Sequence, residues 1–191
     1  MRTGVVAIWT AIVAPQPDGI YDFTQNKKNW PTAAGADRYR RTMYVMFYRS
    51  APYPLLSTFD APDFSTVCTR RVRSNTPLQS LTVANDLVFT ELSAGLAARV
   101  LREQPEGTDS DRLRLMFRLC LTRSPQDSEL SVLVDFLSRE RSRFAGTPAE
   151  AEKVAAGASS LAVAGLSPIE QAAWTSAARV LLNTDEFMTR N

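Results

Sequence analysis

Apolar residues recur at helical spacing along most of the chain, and one repeated signal punctuates them. Four times a Ser or Thr is followed by Pro, one further residue, and then Gln, Asp or Glu. The four are Thr76-Pro77-Leu78-Gln79, Ser124-Pro125-Gln126-Asp127, Thr147-Pro148-Ala149-Glu150 and Ser167-Pro168-Ile169-Glu170. The hydroxyl can accept from a free backbone N–H in the first turn of a helix. Proline at the first helical position lacks only an N–H that had no partner there. Gln or Glu three residues on can reach back to the cap. The pattern predicts four helix starts. Phe89, Leu92, Leu96 and Val100 would line a helix after Asp86, and Leu113, Met116, Phe117 and Cys120 the next. Leu130, Leu133, Val134, Leu137 and Phe144 would line a third, and Ile169, Ala172, Ala173, Ala177 and Val180 the last. Upstream, Tyr39, Met43, Met46 and Phe47 predict a helix from Asp37 that ends by Ala51, because Pro52 disfavours helix in the residue before it.

Between these stretches the periodicity lapses. Residues 1–36 read as an extended lead-in, and residues 51–73, with Pro52, Pro54 and Pro62, as an ordered non-repetitive crossing. Gln104 to Ser110 reads as a polar hinge. Residues 151–166 read as a weak helix mixed with loop. No strand alternation runs beyond three or four residues. The predicted fold class is all-α: an irregular helical domain with long ordered Pro/Arg-rich loops. The helical domain would span residues 37–191, as a fragment of a larger multidomain protein.

Composition removes several chemistries. The 191 residues contain no histidine, which excludes His-based triads, His-ligated zinc and His-ligated haem within this chain. Cys68 and Cys120 stand 52 residues apart without a C-x-x-C spacing, so no cofactor or metal is expected. Cys120 falls in an apolar pattern and reads as a small buried hydrophobe, although a Cys68–Cys120 disulfide stays open. Glycines are scattered, and no phosphate-binding loop occurs. The net charge of +2 does not point to nucleic acid. The apolar run Val5–Ala14 imitates a short signal peptide but meets Pro15 where cleavage would be wanted, and no stretch is long enough for a membrane span.

The basic residues are 19 Arg against three Lys. Arg suits fixed, bidentate pairing with carboxylates, although a nucleotide bias in the gene would give the same ratio. They crowd the segment 37–86, where Arg38, Arg40, Arg41, Arg49, Arg70, Arg71 and Arg73 face Asp37, Asp60, Asp63 and Asp86 among interleaved aromatics. Arg41, Asp60, Arg70, Arg71, Asn75 and Gln79 are the candidate binding residues. One reading is a pocket for sugar or an anion. The other is an internal Arg–Asp network that holds the crossing, with Asn75 and Gln79 as caps. Asp60 and Asp63 could also be an acid and base for glycoside hydrolysis, or simply cap their own turn.

The series Arg40-Arg41-Thr42-Met43-Tyr44, Phe59-Asp60-Ala61-Pro62-Asp63, Arg70-Arg71, Ser74-Asn75-Thr76-Pro77-Leu78-Gln79, Asn85-Asp86 and Leu181-Leu182-Asn183-Thr184-Asp185-Glu186-Phe187 occurs in this order. It resembles the C-terminal domain of unknown function (1553 type) of planctomycete cytochrome-c-domain-containing proteins. The likeness runs from about residue 17 to the end, with residues 1–14 outside it. The resemblance implies an extracytoplasmic multidomain protein in a setting of polysaccharide breakdown, with upstream domains as partners. Its redox association does not carry over, because no haem motif is present. The expected function is a non-enzymatic helical module of a secreted protein that binds glycan or a partner domain. The alternatives are a carbohydrate-active hydrolase using Asp60 or Asp63, and a purely structural domain.

Overall fold

Pro54 stands at the first position of a short helix, α1 (Pro54–Thr58), inside the crossing that the sequence left without regular structure. The structure is a computed structural model and describes residues 53–62, 66–70, 74–156, 163 and 165–189. The predicted helix from Asp37 and the predicted boundary at 36/37 lie outside these residues. Residues 1–74 and 75–191 form two compact units.

In the first unit, α1 closes with a paired set of backbone bonds. The Ala61 N–H donates to Leu56 O at 2.9 Å and the Asp60 N–H to Ser57 O at 3.4 Å. This is a Schellman stop, and its left-handed position belongs to Asp60, at φ 54°. Asp tolerates that conformation better than most residues, and Pro62 follows where a helix cannot resume.

The second unit holds the remaining described helices: α2 (Pro77–Asn85), α3 (Leu87–Glu103), α4 (Asp109–Leu121), α5 (Asp127–Gly146), α6 (Pro148–Ala156), α7 (Pro168–Leu182) and α8 (Asp185–Thr189). The described residues contain eight helices and no strand, which makes the fold all-α. The predicted start at Thr76 forms a complete capping box, and Ser167 accepts from the Glu170 N–H at 3.2 Å. Thr147 precedes α6 as expected, but its hydroxyl donates backwards to Arg143 O at 3.1 Å, a carbonyl at the end of α5 that also accepts from the Thr147 N–H at 3.1 Å. Ser124 is not a cap. Helix α5 starts two residues later, with Gln126 as N-cap and the Glu129 carboxylate accepting from the Gln126 N–H at 2.7 Å. Within the predicted hinge, Thr108 caps α4 and forms a box with Asp111.

Helix α7 is the centre of this unit and packs against α3, α5 and α6. Its buried residues run from Gln171 to Thr175 and then include Ala177, Ala178, Leu181 and Leu182. At about 100° per residue these cover most of the circumference. Val180, expected on the buried face, lies on the narrow outward strip and is 41% exposed. Helix α3 differs in a similar way. Phe89 and Val100 are buried, but Leu92 and Leu96 are half-buried, and the buried face carries Ser93, Ala94, Ala97 and Ala98. These small residues, with Ala172, Ala173, Ala177 and Ala178 of α7, let the two helices approach closely. Leu113, Met116, Leu137, Phe144 and Trp174 are fully buried and supply the bulk of the core.

Candidate functional site

The predicted site residues that the structure describes are each placed by the local backbone. Asp60 is half-buried, and both the Ser74 N–H and the Ser74 hydroxyl donate to its Oδ2, at 2.8 and 2.7 Å. One carboxylate oxygen thus ties the end of α1 to the end of the crossing. Arg70 is exposed and does not pair with Asp60. An Arg70–Asp60 ion pair, one strand of the expected internal network, is not formed among the described residues. Arg41, Arg71 and Asp63 lie outside the described residues.

Gln79 is buried and accepts from the Thr76 N–H through its Oε1 at 3.1 Å, while Thr76 Oγ1 accepts from the Gln79 N–H at 3.3 Å. Its amide is half of a capping box. Asn75 is exposed, and its Nδ2 donates to Asp185 Oδ1 of α8. Asn75 and Gln79 thus act on the helix frame of the second unit.

The arginines that form dense carboxylate contacts lie elsewhere, on elements that sequence reasoning treated as plain helix. Arg141 of α5 is held between two carboxylates. Its Nε and Nη2 donate to Glu170 at 2.7 and 2.9 Å, and its Nη2 donates to Asp109 Oδ1 at 3.0 Å while Nη1 donates to Oδ2. Asp109 and Glu170 sit in the first turns of α4 and α7, where the helix dipole also favours negative charge. The Arg141 hydrogen bonds hold the Asp109 carboxyl below its ordinary pKa.

Arg123 repeats the arrangement at the other end of α4. It donates to Glu129 through Nη1 and Nη2 at 2.8 and 2.7 Å, and to Glu186 through Nε and Nη2, both at 2.7 Å. Its guanidinium lies 4.8 Å from the centroid of the Phe117 ring. Arg123, followed by the Gln126 N–H, pulls the Glu129 carboxyl down to about 2, and Arg123 also lowers that of Glu186. A third arginine, Arg143, joins Glu140 and Glu150 and so links α5 to α6. The partners of Arg123 and Arg141 are up to 63 residues away in sequence. No local signal marks such pairs.

Neither cysteine is bonded. Cys68 is exposed, and Cys120 is buried, with burial pushing its thiol up to about 12. A thiol at that value stays protonated at neutral pH, as befits a small buried hydrophobe. Among the described residues there is no group of three or more Cys, Asp or Glu that could hold a metal ion. No helix among them is long and apolar enough to cross a membrane.

An open groove of about 640 Å³ runs along α4, lined by the turn Gln104–Gly107 and by Asp111, Arg114, Leu115 and Arg118. Sequence reasoning did not single it out, because its residues were divided between a presumed hinge and a solvated helix face.

Residues 10–137 match the family model described as PSD1: Protein of unknown function (DUF1553). The chain belongs to this family. The match begins at residue 10, so residues 10–14, expected outside the family, are part of it. It ends inside α5, whereas the resemblance seen in the sequence runs to the end of the chain. The matched residues thus do not include α7, the helix around which the second unit is packed. No curated protein and no solved structure matches the chain.

Proposed function

We propose that this member of the family is a non-enzymatic helical module of a secreted, extracytoplasmic multidomain protein, and that it acts by binding a partner. One observation carries the reading. Asp60, Asn75 and Gln79, the described polar residues best suited to a pocket, bond within the chain and fix helix ends. Asp60 in particular supplies both the left-handed stop of α1 and the acceptor for Ser74, a structural task that accounts for an aspartate at this position. Resemblance to proteins with upstream domains in a polysaccharide-degrading setting supports the secreted context and leaves a neighbouring domain or a glycan as the partner class.

Asp60→Asn tests this directly. The amide keeps the size and the tolerance for positive φ but loses the charge that accepts twice from Ser74. Hydrogen bonds to charged groups contribute roughly 1.5–3 kcal/mol, so a structural Asp60 predicts a clearly lowered denaturant midpoint. An unchanged midpoint, together with glycan hydrolysis by the wild type that the variant loses, would replace the module reading with the hydrolase one.

A further inference from the structure

Most arginines of the second unit with close carboxylate neighbours are fixed by them, yet two on α4 are not. Arg118 is exposed and has no carboxylate partner among the described residues. Arg114 has a 3.9 Å contact with Asp127, whose side chain is itself fully exposed, and a weak electrostatic interaction with Asp111. The two stand four residues apart on one face of α4 and form one wall of the groove. The opposite wall is firmly built. Arg112 Nε donates to Gln104 O at 2.9 Å, its Nη2 donates to Pro105 O, and the Gly107 N–H donates to Gln104 O at 3.3 Å. A Cβ at Gly107 would lie 2.9 Å from Gln104 Oε1, so a larger residue there would push the Gln104 side chain aside. That Oε1 is buried and has no donor among the described residues.

Helix geometry sets the spacing a ligand must match. Four residues of helix rise about 6 Å, so Arg114 and Arg118 present two cations about one turn apart. In an extended chain, side chains on one face recur every second residue, about 6.7 Å apart. Two carboxylates at alternate positions of an extended peptide therefore meet both guanidiniums. Asp111, whose carboxylate accepts from the Thr108 N–H and hydroxyl at 3.2 and 2.6 Å, also interacts electrostatically with Arg114, which leaves Arg118 the more open of the two cations. Glu106, exposed at the turn, repels an acidic side chain there and so favours placement towards Arg118.

We propose that this groove binds a short extended peptide segment of a partner protein, with acidic residues at alternate positions seated on Arg114 and Arg118. The inference names a partner for the module proposed above and rests on that reading.

The test uses the full chain and a fluorescently labelled Gly-Glu-Ala-Glu-Gly peptide, followed by anisotropy at low ionic strength. The expected result is saturable binding that added salt weakens. Arg118→Ala and Arg114→Ala should each weaken it about tenfold, since a charge-assisted pair is lost. Moving the two glutamates to adjacent positions should weaken it by a similar factor. Arg139→Ala, an exposed arginine of α5, should leave it unchanged. Melting curves of each variant establish that it is folded. No saturable binding at millimolar peptide, equal binding of the adjacent-glutamate peptide, or indifference to both α4 substitutions would overturn the proposal. Tighter binding of inorganic phosphate than of the peptide would do so too. If the peptide fails while Asp60→Asn still lowers stability, the groove assignment alone falls and the module reading stands.

Discussion

Arg141 and Arg118 belong to the same helical unit and are the same residue type, yet their surroundings are opposite. Every nitrogen of the Arg141 guanidinium is engaged by Asp109 or Glu170, and its side chain is 30% exposed. Arg118 projects from α4 with no carboxylate partner among the described residues. A guanidinium with its donors filled by two carboxylates from two helix starts is a fastening. One left open beside a second, a turn away, is a surface for recognition. The preference for Arg over Lys thus has a physical role at Arg123 and Arg141, since a planar fork can serve two carboxylates at once and a point charge cannot.

Removing a fastening should have the largest effect. Arg141→Ala leaves Asp109 and Glu170 facing each other without a cation. The site is neither fully buried nor fully exposed, so the cost falls between the ranges for those cases, about 1–2 kcal/mol. Chemical denaturation measures it, and a cost no greater than that of an ordinary surface substitution would show that the clamp carries no stability.

The second clamp should show itself in acid. The Glu129 carboxyl titrates lower in the folded chain, at about 2, than the ordinary 4.5. Its contribution is therefore present above pH 4.5 and is lost as the pH falls towards 2. Asp109, Glu140 and Glu186 are shifted in the same direction. The denaturant midpoint should be nearly flat in pH above about 5 as far as these groups are concerned and fall below it. Arg123→Ala should make that acid slope shallower, because Glu129 then returns towards its ordinary value. An unchanged slope would mean that Arg123 is not what holds Glu129.

A smaller effect is expected beside that clamp. Thr122 sits at φ 60° as the C-cap of α4, immediately before Arg123. A β-branched residue is strained there and glycine is not. Thr122→Gly should raise stability by roughly 0.5–1 kcal/mol, read by the same denaturation series. A loss instead would indicate that the stiff turn is needed to aim Arg123 at its two carboxylates.

The helix starts were legible wherever the cap and the proline coincided, as at Thr76 and Ser167. Thr108 was missed because its box has no proline and lies beside Pro105 and Gly107, which read as a hinge. Ser124 misled because Pro125 precedes the helix by two residues, leaving Gln126 as the cap. The face of α7 was misplaced because a helix buried over most of its circumference has no single apolar stripe, and its bulkiest buried residue, Trp174, lay off the stripe chosen. The candidate site was harder still. Asn75, Gln79 and Asp60 stand out in the sequence as polar residues in a Pro-rich segment, but their partners decide what they do. Those partners are local for Gln79, 14 residues away for Asp60 and 110 away for Asn75. The clamps rest on pairings of similar reach, which no spacing rule reveals.

The division of the arginines into fastenings and an open recognition pair is tested most directly by one paired measurement. Arg141→Ala and Arg118→Ala are unfolded by urea side by side with the wild type at neutral pH. Arg141→Ala should lower the unfolding free energy by about 1–2 kcal/mol, while Arg118→Ala should stay within about 0.5 kcal/mol of the wild type. Equal losses for the two, or a larger loss for Arg118→Ala, would contradict the account.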